Sequence, residues 1–288
     1  MAGRYKVRFY VGNVGPNRSV YDLLSQLSQR QHPLIYDEEE TLYLVKDIQD
    51  TGRGSVYRGI FGKIRTSDIP KIINPEGIER EIDLHEHEGL IDKNYFLFFH
   101  DHQLLVFQEN FHASKASAFA RYLSHVAGNA VSYDPVLNID AMRRFMRGQT
   151  NVVRAKITIA RPTNPRLFPR NRFSRELLRM MAATGSATLH VTCTANRPGQ
   201  RMNVLVNTLK ADIRDLVRGD HATNAKAWID DGSGEPIDLI EDRLGATINV
   251  QMVDRYPVPE SIFAALNNAH REVSAELTQY FGVVHEDN

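Results

Sequence analysis

Apolar and polar side chains alternate at the start of this chain. Tyr5, Val7, Phe9 and Val11 fall on one side and Arg4, Lys6, Arg8 and Tyr10 on the other, the period-two pattern of a half-buried strand. Turn-forming residues over 12–17 end it, and Ser19 has the hydroxyl to cap a short helix presenting Leu23, Leu24 and Leu27. Two further strands are predicted over 41–46 and 55–64, parted by Thr51, Gly52, Arg53 and Gly54. Residues 69–89 are polar, acidic and without a period, which predicts a long loop. Residues 95–99 and 104–109, on either side of a polar tip at 100–103, read as a hairpin. A helix beginning near Ser114 then shows Phe119, Leu123 and Val126.

Beyond Tyr133 the pattern changes. A short basic helix is predicted over 139–146, ending at Gly148. A strand follows over 152–160, with Val153, Ala155, Ile157 and Ile159 on one face and Arg154, Lys156 and Thr158 on the other. Residues 161–173 hold three prolines and four arginines, an extended irregular loop. Ser174 is the expected cap of a helix running to Thr184, with Gly185 as its stop. Strand 187–195, helix 202–218, strands 222–230 and 245–253 and a last helix over 257–281 complete the reading. This order argues for an α+β fold of mixed sheets with covering helices, in two domains. We place an N-terminal α+β domain at 1–135 and a second, basic-to-acidic α+β domain with a C-terminal helix at 136–288, that helix being free to fold back on the first half.

Composition narrows the class. The 288 residues suffice for two domains, and 42% hydrophobic with 24% charged content suits a soluble globular protein. No apolar run approaches the roughly 20 residues that cross a bilayer, and the polar segment 1–6 lacks a signal-peptide core. A cytoplasmic protein is the expectation. Cys193 is the only cysteine, which excludes an intramolecular disulfide and a cysteine-based zinc site. It alternates with threonines on strand 187–195 and reads as a small core residue.

Charge changes the picture most. Of 35 basic and 35 acidic residues, 13 basic and one acidic lie between Ala141 and Arg201, so this stretch carries +12 and the remainder −12. Twelve of the 13 are arginines, whose planar fork matches phosphate oxygens in pairs. Segregation of this kind usually meets a polyanion, and nucleic acid is the first partner to consider. The candidate contacts are Arg143, Arg144 and Arg147 on the short basic helix, Arg154 and Lys156 on one strand face, and Arg166, Arg170 and Arg172 in the loop. Arg175 and Arg179, four apart, share a helix face beyond it. Nothing resembles a helix-turn-helix or a zinc finger, so phosphate-directed, sequence-independent binding is expected.

Other chemistry is weaker. His85, His87, His100 and His102 with Glu86, Glu88 and Asp101 are metal-ligand types, yet one pair sits at a hairpin tip and the other in an acidic loop. Glu235, Asp238, Glu241 and Asp242 suggest a magnesium-nuclease cluster, without a strand-bound lysine partner. No phosphate loop, dinucleotide fingerprint or nucleophile elbow occurs. Trp228 is read as a core residue of its strand. No catalytic residue, metal or cofactor is assigned. A metal-dependent nuclease and a protein-interaction scaffold, whose basic stripe docks on an acidic face, stand as the rival readings.

The order of elements resembles the RexA-like phage-exclusion family of abortive-infection proteins. The likeness rests on Phe9 and Tyr10, on Val20, Leu23 and Leu24, and on Leu42, Tyr43, Leu44 and Val45. Phe96, Leu97 and Phe98 with Val106 and Phe107 extend it, as do Met146, Arg147, Gly148, Gln149 and Thr150. It covers roughly residues 1–160. The resemblance implies a two-domain homodimer that binds double-stranded DNA without sequence preference, as the sensor of an antiphage system whose effector partner is a separate membrane protein. The chain departs from the family in concentrating arginine where lysine is more common there.

Overall fold

The computed structural model describes residues 2–14, 19–38, 40–52, 55–138, 141, 151–162, 168–195, 205, 208–219, 221–229 and 235–286. It is an α+β protein of antiparallel sheets with helices on their faces. The chain divides into two compact units, Met1–Tyr133 with Gly245–Arg271, and Asp134–Leu244 with Glu272–Asn288. The expected basic helix over 139–146 lies outside the described residues except for Ala141.

The first unit begins with β1 (Ala2–Val14), α1 (Val20–Ser28), β2 (Ile35–Glu38), β3 (Thr41–Asp50) and β4 (Val56–Arg65). The stretch read as a long loop carries a small ribbon of its own, β5 (Ile72–Ile73) paired with β6 (Glu79–Arg80). β7 (Leu90–Phe99), β8 (Leu104–Glu109), α2 (Ala116–Ala127) and β9 (Val131–Pro135) follow. The predicted hairpin is β7 and β8, in register from Phe99 opposite Leu104. Ser19 caps α1 in a reciprocal box: its Oγ accepts from the N–H of Asp22 at 3.1 Å, and its own N–H donates to the Asp22 carboxylate at 3.1 Å. The N–H of Val20 is met from far along the chain by Gln103 Oε1 at 3.0 Å, which ties the hairpin tip to α1.

β7 explains why its sequence is apolar at every position from Tyr95 to Phe99. Both faces are covered. Phe96, with Phe61 of β4, stacks on Phe119 of α2, at centroid distances of 5.0 and 4.9 Å. Tyr95 and Phe99 point the other way and meet Phe263 and His270 of the helix Pro259–Glu272 at 5.5 and 4.0 Å. Gly59, opposite Phe96 in β4, has no room for a side chain, since a Cβ there would sit 2.6 Å from the Phe96 ring. Two buried amides fix the register: Asn94 donates to the carbonyl of Gln108 at 3.0 Å, and Gln108 Oε1 accepts from the N–H of Tyr95 at 3.1 Å.

The second unit has a four-stranded sheet. β10 (Val152–Ala160), α3 (Arg172–Thr184), β11 (Thr188–Thr194), α4 (Thr208–Arg218), β12 (Ala222–Ile229) and β13 (Ile237–Asp238) are its elements, with strands in the order β11-β10-β12-β13. Ala155, Ile157, Ile159, Ala225, Ala227 and Ile229 form its buried face. Leu177 and Met181 of α3 and Leu209, Ile213, Leu216 and Val217 of α4 are the buried apolar residues of the helices that cover it. β14 (Gly245–Val253) returns to pair with β1 of the first unit, and β15 (Tyr256–Pro257) extends that sheet.

Four expectations need correction. The helix predicted from a Ser174 cap begins at Arg172, because Asn171 caps it: its Oδ1 accepts from the N–H of Ser174 at 2.8 Å, and Ser174 is buried. A bulge between Val152 and Arg154 puts Val152, rather than Val153, on the buried side of β10. The helix expected from 202 is helical from Thr208, Leu205 being non-helical and the other residues between outside the description. The single helix over 257–281 is two, α5 (Pro259–Glu272) and α6 (Ser274–Glu286), broken at Val273. Their buried residues Ile262, Leu266, Ala269, Val273, Leu277 and Tyr280 continue in phase across the break, so periodicity does not reveal it.

Candidate nucleic-acid interface

The basic stretch is divided between two sides of one layer. On α3 the buried stripe Ser174, Leu177 and Met181 fixes the orientation of the helix, which leaves Arg172, Arg175 and Arg179 in a row on the exposed side. Arg170 is exposed just before it, in a segment anchored by Phe168, whose buried ring lies 4.8 Å from that of His221. Arg179 pairs with Glu176 at 2.9 Å, a solvated contact of little weight. Arg170, Arg172 and Arg175 have no acidic partner among the described residues.

This row is not explained by helix stability. Like charges three and four apart repel by about 0.2–0.5 kcal/mol a pair, and cations in the first turn oppose the helix dipole. The last turn of α3, where cations would be favourable, holds none. The placement suits an anion brought from outside.

Arg154 and Lys156 lie elsewhere. They project, exposed, from the face of β10 opposite Ala155 and Ile157, and therefore opposite the helices. In register beside them stand Thr194 and Thr192 of β11 and Trp228 and Lys226 of β12. The Arg154 guanidinium lies over the Trp228 ring, 4.8 Å from its centroid. Trp228 is half-buried on this open face, which corrects its assignment to the core. The signal was present, since Asn224, Lys226 and Trp228 alternate with the buried Ala225, Ala227 and Ile229. Arg143, Arg144, Arg147 and Arg166 lie outside the described residues.

The remaining candidates have structural surroundings. Asp238, 9% exposed, accepts from the N–H groups of Ile240 and Glu241 at 3.1 and 3.0 Å and pairs with Lys226 at 3.1 Å. Asp242 accepts from the N–H of Asp238 at 2.9 Å. These carboxylates fold a turn. His85 and His87 are exposed in the stretch between β6 and β7, and His100 lies against the Tyr21 ring at 4.8 Å in the hairpin tip. Among the described residues no three His, Cys, Asp or Glu side chains converge as metal ligands would. Cys193 is half-buried rather than fully enclosed, and that burial pushes its thiol pKa up, away from nucleophilic use at neutral pH. No helix among the described residues is long and apolar enough to cross a membrane. A comparison with protein-family models finds no matching family, and a search of curated proteins finds no relative.

Proposed function

We propose that this protein binds nucleic acid through its phosphates without reading sequence, and that the arginine row of α3 with Arg170 receives double-stranded DNA. The observation that carries the reading is the state of these charges: four arginines in ten residues, all exposed, three of them without an acidic partner among the described residues. An arginine stripe that clamps an internal acidic face would be spent on it; this one faces water. Guanidinium forks on a short helix and its entry segment contact phosphates and leave base edges unread. Together with the resemblance of residues 1–160 to the RexA-like family, this supports a cytoplasmic DNA sensor of an antiphage system, acting as a homodimer with a separate effector partner.

Salt titration of duplex binding tests it. Neutralising about six phosphates gives a log–log slope of affinity on salt of about −5. A slope near zero, or no binding at low salt, overturns the proposal.

A further inference from the structure

We propose that the open face of the β11-β10-β12-β13 sheet is a second nucleic-acid site, one that takes an unpaired strand by stacking a base at Trp228 and holding phosphates on Arg154, Lys156 and Lys226. The inference rests on the nucleic-acid reading above but concerns a different surface and a different form of the ligand. The two surfaces differ in chemistry. The row on α3 offers guanidinium groups alone, which suit a backbone. The sheet face adds an aromatic ring, two lysines and a set of hydrogen-bonding side chains, Thr192, Thr194 and His190, around it.

Three observations carry it. First, Arg154 and Trp228 are register partners on adjacent strands, and the guanidinium is stacked on the indole with no carboxylate partner among the described residues. A stacked guanidinium keeps its N–H edges turned outward for phosphate, and its plane, or the indole beneath it, is a surface on which a base can be laid. Second, Lys156 stands directly opposite Lys226 across the β10–β12 pair. Like charges in that position destabilise a sheet. Asp238 offsets Lys226 at 3.1 Å, and nothing described offsets Lys156. The pair is explained by an anion that bridges it. Third, the neighbouring groups are polar, with Thr158 Oγ1 3.0 Å from His190 Nδ1 and Thr192 and Thr194 exposed, so the face is polar rather than an apolar surface awaiting a protein. In a duplex the bases are stacked on one another and closed to such a face, so the ligand is single-stranded.

Trp228 is the only tryptophan, so its fluorescence reports this site without ambiguity. The probes are a thymidine oligonucleotide of about 15 nucleotides and a mixed-sequence duplex. The oligonucleotide is expected to quench Trp228 emission in a saturable way. Lys156→Glu and Trp228→Ala are each expected to weaken the strand about tenfold and to leave duplex affinity unchanged, while Trp228→Phe retains strand binding. Arg172→Glu with Arg175→Glu should do the reverse. Retained duplex binding with no quenching, and with Lys156→Glu indifferent to the strand, overturns the second site and leaves the duplex reading standing. Loss of both ligands in the α3 double variant alone makes one surface serve both, and also overturns it. Failure to bind either probe removes both proposals.

Discussion

The large sheet of the first unit is buried on both faces at its centre, along β7 and β8, and the small sheet of the second on one. In β7, consecutive residues Phe96 and Leu97 are 0% and 4% exposed although they point in opposite directions. In β10, Ile157 is fully buried while Lys156 and Ala160 are exposed. The inner positions differ too. Aromatic rings from β4, β7 and α2 stack in the first unit, whereas Ala155, Ala225 and Ala227 let α3 and α4 lie close on the second. A sheet with both faces covered is scaffold. A sheet with one face open has side chains to spend on something else, and here those are Arg154, Lys156, Lys226 and Trp228.

The largest expected effects test that contrast directly. An alanine scan along Tyr95–Phe98 of β7 should be flat and severe: Phe96→Ala is expected to cost about 3–5 kcal/mol and Leu97→Ala about 2–5. The same scan along β10 should be a sawtooth, with Ile157→Ala costing about 2–5 kcal/mol and Lys156→Ala within about 0.5. Urea unfolding measures both. A large loss at Lys156 would mean that the face we call open is occupied.

Next comes the second unit's helix. Arg172→Glu with Arg175→Glu should weaken duplex binding tenfold or more and reduce the salt slope by about 2. Unfolding should shift little or toward greater stability, because acidic residues in a first turn favour the helix dipole. Arg80→Glu with Lys93→Glu, in the first unit, is the control and should leave binding alone. Unchanged duplex affinity in the α3 variant, with the protein folded, removes α3 from the interface.

How far the chain can be read in advance also differs between the units. The first was legible wherever a local rule decides: Ser19 with Asp22 announces α1, and Tyr95–Phe99 with Leu104–Glu109 announces the hairpin. Its distant partners were not, because nothing near Val20 points to Gln103 and nothing in Gly245–Val253 names β1. In the second unit the charge count located the basic stretch, and strand alternation set Arg154 and Lys156 apart from Ala155. It could not tell that α4 would cover the other side of that strand, since sequence spacing carries no information about which face a helix lands on. Trp228 is not the core residue its type suggests, because Asn224 and Lys226 share its side of β12 while Ala225, Ala227 and Ile229 take the buried one. Asn171 and Ser174 are both good capping residues, and only the fold shows that Asn171 is the cap and Ser174 is buried.

A smaller effect separates the units by pH. His270, stacked on Phe99, is held below the usual imidazole range by burial first and by Arg271 second. The unfolded chain therefore binds its proton more readily. The stability this gives is complete above about pH 6.5 and is lost as pH falls through the lower, folded value. The first unit's unfolding midpoint should drop between about pH 7 and 5, and His270→Gln should flatten part of that slope. An identical slope in the variant would assign the acid sensitivity to other groups.

The smallest effect lies inside the first unit's own core, where two tyrosines should respond with opposite signs. Tyr122 is enclosed among Leu23, Leu24 and Phe61, yet its hydroxyl escapes to donate to the carbonyl of Leu34 at 3.1 Å. Burial raises its pKa to about 12. Tyr133 packs against Tyr10 and Phe119 at centroid distances of 6.5 and 5.6 Å, and its buried hydroxyl has no hydrogen-bond partner among the described residues. Burial alone pushes its pKa well above the usual range. Replacing a paired hydroxyl strands its acceptor, and Tyr122→Phe is expected to cost about 1 kcal/mol. Removing an unpaired one relieves a desolvation cost while the ring keeps its shape, so Tyr133→Phe should leave stability unchanged or raise it by up to about 1 kcal/mol. The two changes delete the same atom from the same core, so a shared denatured-state effect largely cancels between them. Losses of equal size in urea unfolding would mean that Tyr133 has found a partner, and that the core of the scaffold unit is as fully satisfied in its polar groups as in its apolar ones.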